Sequence, residues 1–240
     1  MAEKANLQNC LWIMNKKKAK PETRITHPVT RTPQHPMNKL FITGIGTEVG
    51  KTICSAVLTQ YFKADYWKPV QSGDLEYSDS YKIESWTDDT VCHPETYRFK
   101  LAASPHQSAR EEDVQIDINH FQIPQTDNML IVEGAGGLMV PLSDDTFMID
   151  LIEKLELPTA LVVRNYLGCI NHSLLSIMAL EQKEIKLEYL ILNGTFPPDT
   201  ERVISGYIKK ETRIIRIPEI DQPTKDSIRN AAEQLKKTNL

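Results

Sequence analysis

The sequence predicts an α/β fold, a mostly parallel sheet with helices on both faces. Three features predict it. Short apolar runs recur along the chain, separated by segments whose apolar residues fall at helical spacing. The runs carry almost no polar alternation, as expected of strands covered on both sides. A glycine-rich turn joins the first run directly to the first helical segment.

The elements follow in order. "KLFITG" (39–44) reads as a buried strand ending at a glycine, and "KTICSAVLTQYFK" (51–63) as a helix kept short by the brief stretch before Lys68. "YWKPV" (66–70) reads as a second strand, stopped by Pro69. "NMLIVEG" (128–134) is a strand, and "FMIDLIEKLEL" (147–157) an amphipathic helix. "PTALVVRN" (158–165) and "LEYLILNG" (187–194) are further strands. Between them "NHSLLSIMALEQKEI" (171–185) is a helix with Asn171 as its N-cap. "TRIIRIPEI" (212–220) is a last strand and "TKDSIRNAAEQLKK" (224–237) an exposed closing helix. No internal repeat is present.

The chain has 240 residues, enough for one domain with a substantial core. A net charge of −4 gives no support for a nucleic-acid or membrane partner. Cys10, Cys54, Cys92 and Cys169 show no metal-knuckle or redox spacing, so they read as thiols in a reducing cytosol. Residues 1–36 differ from the rest: they hold no glycine, four prolines and a charge of about +5. They read as a disordered basic extension, or a product of start-site choice, since Met37 directly precedes the first strand. Residues 37–240 then form a single domain.

In "GIGTEVGKT" (44–52), a strand, a glycine-rich turn and Gly-Lys-Thr opening a helix form the pattern of a phosphate-binding loop. Backbone N–H groups there point into a concavity, and the helix N-terminus adds positive partial charge. Glycine admits close approach and positive φ. Lys51 is placed to reach the β- and γ-phosphates, and the Thr52 hydroxyl to bind Mg²⁺. The spacing is unusual, because five residues separate Gly44 from Gly50 where the common form has four. The fold expectation is therefore a three-layer, P-loop NTPase-like α/β domain.

Phosphoryl transfer needs charge neutralisation more than covalent help from the protein. "WKPVQSGD" (67–74) supplies Lys68 and Ser72, and "SDS" (78–80) supplies Asp79 in a polar loop. In "VEGAGG" (132–137), Glu133 ends a buried strand, where a carboxylate needs a cation or donor. The opening loop, this segment and "LNG" (192–194) all fall at strand carboxyl ends, where such sheets bind ligands.

These segments together resemble the dethiobiotin synthetase family. "GTEVGKT", "KPVQSG", "SPH" (104–106), "VEGAGG", "PLSD" (141–144), "LGCINH" (167–172) and "LNG…PP" (192–198) occur in that family's order, across roughly residues 37 to 220. The resemblance implies an ATP-dependent cyclo-ligase acting on 7,8-diaminononanoate, CO₂ and MgATP to give dethiobiotin, ADP and phosphate. It implies that Lys51 holds the phosphates and that Lys68 bridges a carbamate and the γ-phosphate. Thr52, Asp79 and Glu133 would bind Mg²⁺, while Thr47 and Ser72 would meet the carbamate or diamine. Glu48, Val49, Gly50, Lys51, Thr52 and Ile53 would line the nucleotide, with Gly134, Ala135 and Gly136 beside it. Asn193 and Gly194 would meet the adenine edge, and Pro218 and Glu219 would flank the base. Leu167, Gly168, Cys169 and Asn171 would receive the substrate carboxylate from the neighbouring subunit of a homodimer.

Two departures stand out. Ile45-Gly46 replaces the family's common Thr-Asp, and the match over residues 74 to 101 is weak, which leaves Asp74 and Asp88 as alternatives to Asp79. A rival of another class is a partition-type ATPase switch. It would carry an early loop lysine, and this chain has none at Ile45 or Gly46. Another amide-forming ATPase of the same fold would normally bring a glutaminase domain, for which 240 residues leave no room.

Overall fold

β1 (Lys39–Gly44) lies at the centre of a seven-stranded sheet because its residues are apolar on both faces; Leu40, Phe41 and Ile42 are all fully buried. The computed structural model describes residues 38–237, so the expectation for residues 1–36 lies outside the described residues. The sheet runs β4-β2-β6-β1-β7-β8-β9, with every neighbouring pair parallel. Its other strands are β2 (Asp65–Trp67), β4 (Cys92–His93), β6 (Leu130–Gly137), β7 (Thr159–Arg164), β8 (Leu187–Asn193) and β9 (Arg213–Ile217).

Side chains alternate between two cores, as strand geometry requires. Leu40, Ile42, Tyr66 and Ile131 pack on one side with α1 (Lys51–Phe62) and α7 (Lys225–Lys237). Phe41, Trp67, Leu130 and Val132 pack on the other with α4 (Met148–Leu155). The remaining helices are α2 (Asp79–Trp86), α3 (Pro105–Glu111), α5 (Cys169–Gln182) and α6 (Pro198–Ser205). Among the described residues, no helix is long and apolar enough to cross a membrane.

Several expectations need correction. The strand expected over 66–70 breaks at Lys68–Pro69. β2 ends at Trp67, and β3 (Val70–Ser72) pairs instead with β5 (Tyr97–Phe99) in a separate two-stranded sheet. Proline has no N–H for the main ladder, and the Pro69 carbonyl instead accepts from the Thr96 and Tyr97 amides. Asn171 does not cap its helix. α5 begins at Cys169 after Gly168, whose φ of 105° makes the turn that a side chain would oppose.

Asp79 lies in a helix rather than a loop: Ser78 caps α2 by accepting from the Tyr81 amide at 3.2 Å. α7 is not exposed all round, because Ile228, Ala231, Ala232 and Leu235 form a buried stripe at helical spacing. α3 and α6 were not expected, although each carries proline in its first turn. α1, expected as a short helix over 51–63, ends one residue earlier at Phe62; Lys63 in the left-handed region stops it two residues before β2.

Candidate active site

The site grows from the ends of β1 and β2 and from the middle of β6, which continues past Glu133 to Gly137. β1, β2 and β6 are parallel neighbours, so the loop after β1, Lys68 after β2 and Glu133 in β6 emerge on one side. β6 shifts register against β1 between Ile42 and Gly44, and its glycines then run beside the loop. A Cβ on Gly137 would lie 3.3 Å from the Gly44 carbonyl oxygen, and one on Gly136 would lie 3.5 Å from Thr47 Oγ1. Gly134 and Ala135 precede them in the same strand.

The loop turns into α1 at Gly50, with φ 86°, and a Cβ there would sit 2.1 Å from Asn193 Nδ2. That amide donates to the Val49 carbonyl at 2.9 Å and ties the loop to the end of β8. No side chain caps α1, so a cap takes up none of its leading N–H groups around Lys51, Thr52 and Ile53. Gly50→Ala is expected to destabilise the protein by about 1–3 kcal/mol through the strained φ alone, with the overlap adding to it. Thermal or urea melts against the parent check this; unchanged stability would show that the loop relaxes freely.

A buried polar network lies beneath the loop. Glu133 is fully buried; its Oε1 accepts from Thr52 Oγ1 at 3.0 Å and from Lys68 Nζ at 3.1 Å, and its Oε2 accepts from the Tyr66 hydroxyl at 3.0 Å. Lys68 also donates to Asp79 Oδ2 at 2.6 Å. The N-terminus of α2 places Asp79 there, and its backbone amide is held by Gln71 Oε1 at 3.3 Å. Asp74 is exposed, and Asp88 pairs with Arg229 at 3.0 Å, so of the three candidate acids only Asp79 reaches Lys68.

The charges follow from these contacts. Burial disfavours the Lys68 ammonium, but Glu133 and Asp79 outweigh it and its pKa rises above the ordinary value. Burial likewise opposes the Asp79 carboxylate, yet Lys68 outweighs that and lowers it to about 2. Burial, followed by repulsion from Lys68, lowers Lys51 to about 8; its Nζ donates to the Gly46 carbonyl at 3.0 Å.

The other expected site residues lie further out. Thr47 and Glu48 are exposed on the loop, with Glu48 in the left-handed region at φ 59°. Ser72 Oγ is buried with no hydrogen-bond partner among the described residues. Gly194, at φ 87°, lies against Glu219, which pairs with Arg164; Pro218 is exposed beside it. Leu167, Gly168 and Asn171 are exposed at the start of α5, while Cys169 is buried. Among the described residues, no hydrogen bond or ion pair joins these last four to the lysine–carboxylate network. Tyr66, in β2 two positions before Lys68, joins the network through Glu133 although nothing in its sequence context sets it apart from a packing aromatic.

A family model described as an AAA domain matches residues 38–227. The ATP-dependent dethiobiotin synthetase BioD of Christiangramia forsetii is 43% identical over 201 residues, covering 82% of this chain and 95% of its own. That of Cytophaga hutchinsonii is 45% identical over 177 residues, covering 71% and 85%. That of Paramagnetospirillum magneticum is 40% identical over 171 residues, covering 71% and 83%. With relatives this similar over most of both lengths, the chain belongs to the ATP-dependent dethiobiotin synthetase family.

Proposed function

We propose that residues 37–240 form one synthetase domain that closes the ureido ring of dethiobiotin from 7,8-diaminononanoate, CO₂ and ATP. One amine of the diamine captures CO₂ as a carbamate and releases a proton. A carbamate oxygen attacks the γ-phosphorus and ADP leaves. The second amine attacks the carbonyl carbon of the mixed anhydride, and phosphate departs as the ring closes.

The observation that supports this reading is the gathering of Thr52, Lys68, Asp79 and Glu133 under a phosphate-binding loop, within 2.6–3.1 Å of one another in a chain of contacts. The loop amides and Lys51 hold the triphosphate and offset its charge. Lys68 keeps its ammonium at neutral pH and bridges carbamate and γ-phosphate, orienting the nucleophile. Thr47 and the partnerless Ser72 hydroxyl meet the carbamate or diamine. Asn193 and Gly194 meet the adenine edge, and Pro218 and Glu219 flank the base.

Magnesium fits the residues present. Two carboxylates and a hydroxyl are hard oxygen donors, and Asp79 and Glu133 are already arranged around a positive charge, the Lys68 ammonium. Thr52, Asp79 and Glu133 would hold the ion, which would supply further neutralisation of the phosphate charge.

The protein is proposed to act in the cytoplasm as a homodimer. Leu175 and Met178 on α5, with Met139, are large apolar side chains left exposed, and Leu167 is fully exposed. A second copy covering this face would bring its Leu167, Gly168, Cys169 and Asn171 to the substrate carboxylate. Leu175→Glu is expected to yield monomers by analytical ultracentrifugation; an unchanged dimer would place the interface elsewhere.

The direct test supplies purified protein with the diamine, ¹³C-bicarbonate and MgATP. The expected result is dethiobiotin heavier by the labelled ureido carbon, formed only with all three present. ATP cleavage that does not depend on the diamine, with no product, would contradict the reading.

A further inference from the structure

We infer that Tyr66 is a positioning residue that fixes the orientation of the Glu133 carboxylate; this rests on the functional reading above. Tyr66 pairs in register with Ile131, two residues before Glu133, so the tyrosine and the glutamate rise from adjacent strands on the same face. Both are fully buried.

The Tyr66 hydroxyl donates to Glu133 Oε2 at 3.0 Å, while the other oxygen takes the Thr52 and Lys68 donors. The three donors come from separate elements: the first turn of α1, β2, and the residue after β2. Together they determine how the carboxylate plane lies. A carboxylate otherwise turns readily about its last side-chain bond, and that rotation would swing Oε1 away from Thr52. Phenylalanine would fill the same apolar surroundings, so packing alone does not call for the hydroxyl. Its purpose is the second oxygen, which in this dry setting has no other donor among the described residues.

Such an outer partner tunes a metal ligand without touching the metal or substrate. Removing one typically weakens metal affinity by about 10- to 100-fold. The functional consequence is therefore specific: Tyr66 supports metal retention in the nucleotide complex and leaves metal-free nucleotide binding alone.

The experiment uses the full chain as parent, Tyr66→Phe and Ile131→Val, which thins the same core without removing a donor to Glu133. Mn²⁺ binding to each ATP complex is followed by electron paramagnetic resonance, and metal-free ATP binding by calorimetry. Tyr66→Phe is expected to bind Mn²⁺ about 10-fold more weakly, with metal-free ATP binding unchanged. Ile131→Val is expected to match the parent in both. Equal Mn²⁺ affinity in Tyr66→Phe, equal weakening in Ile131→Val, or failure of Tyr66→Phe to fold would each overturn the inference. A Mn²⁺ difference in a parent that makes no dethiobiotin would sink the synthetase reading and leave the Tyr66 assignment standing.

Discussion

Lys51→Ala is expected to lower kcat/KM for dethiobiotin formation by about 10³-fold or more while leaving the fold intact. The magnitude corresponds to about 4 kcal/mol of lost transition-state stabilisation, the scale on which a single well-placed electrostatic partner acts. Among the described residues the lysine makes one hydrogen bond, to the Gly46 carbonyl, and burial already opposes its charge. Its removal therefore relieves a desolvated cation without stranding a buried charge, and the melting temperature should hold steady or rise. Steady-state kinetics alongside thermal melts check both halves. Near-parental turnover would refute the role given to Lys51, and an unfolded variant would refute the claim that the lysine serves the ligand and not the fold.

Lys68→Met is expected to fail differently, losing activity and stability together. Lys68 is the cation shared by Asp79 and Glu133, at 2.6 and 3.1 Å. An apolar replacement leaves the two carboxylates facing each other with no cation between them. Breaking a buried pair in this way costs about 3–5 kcal/mol. Activity should fall by about 10³-fold or more, because the ammonium proposed to join the nucleophile to the γ-phosphate is then gone. Mg²⁺ with ADP should recover part of the lost stability, since a divalent cation replaces the missing charge between the same carboxylates. Denaturant melts with and without Mg²⁺ and ADP measure this. A variant as stable as the parent, or one indifferent to Mg²⁺, would show that the two acids do not depend on Lys68.

The contrast between these lysines shows what the sequence exposes. The phosphate-binding loop is legible because its chemistry is local: glycines, lysine and threonine lie within nine residues, between a strand and a helix that the apolar pattern already marks. Glu133 is legible for a related reason, as an acid ending an apolar strand. The meeting of Lys68 with Asp79 is less so. It depends on Pro69 sending the chain out of the main sheet to pair with β5, and on Ser78 starting a helix where the residues look like a polar turn. Tyr66 was hidden among strand-forming residues, since an aromatic in a strand usually needs no explanation beyond packing.

Asn171 is a good cap by residue type, so composition points to it although α5 starts two residues earlier. Gly168 supplies the actual turn, through a φ that composition alone does not reveal. α7 looked solvent-exposed because polar residues outnumber apolar ones. Its four buried positions nonetheless fall on one stripe, so spacing outweighs average polarity.

The central claim is that one site brings a carbamate oxygen to the γ-phosphorus of ATP. A brief reaction begun with C¹⁸O₂ in unlabelled water tests this directly, with the released phosphate and the dethiobiotin analysed by mass spectrometry. The account predicts one ¹⁸O in the phosphate for each ring closed, and one in the ureido carbonyl of the product. Phosphate whose new oxygen comes only from water would contradict it.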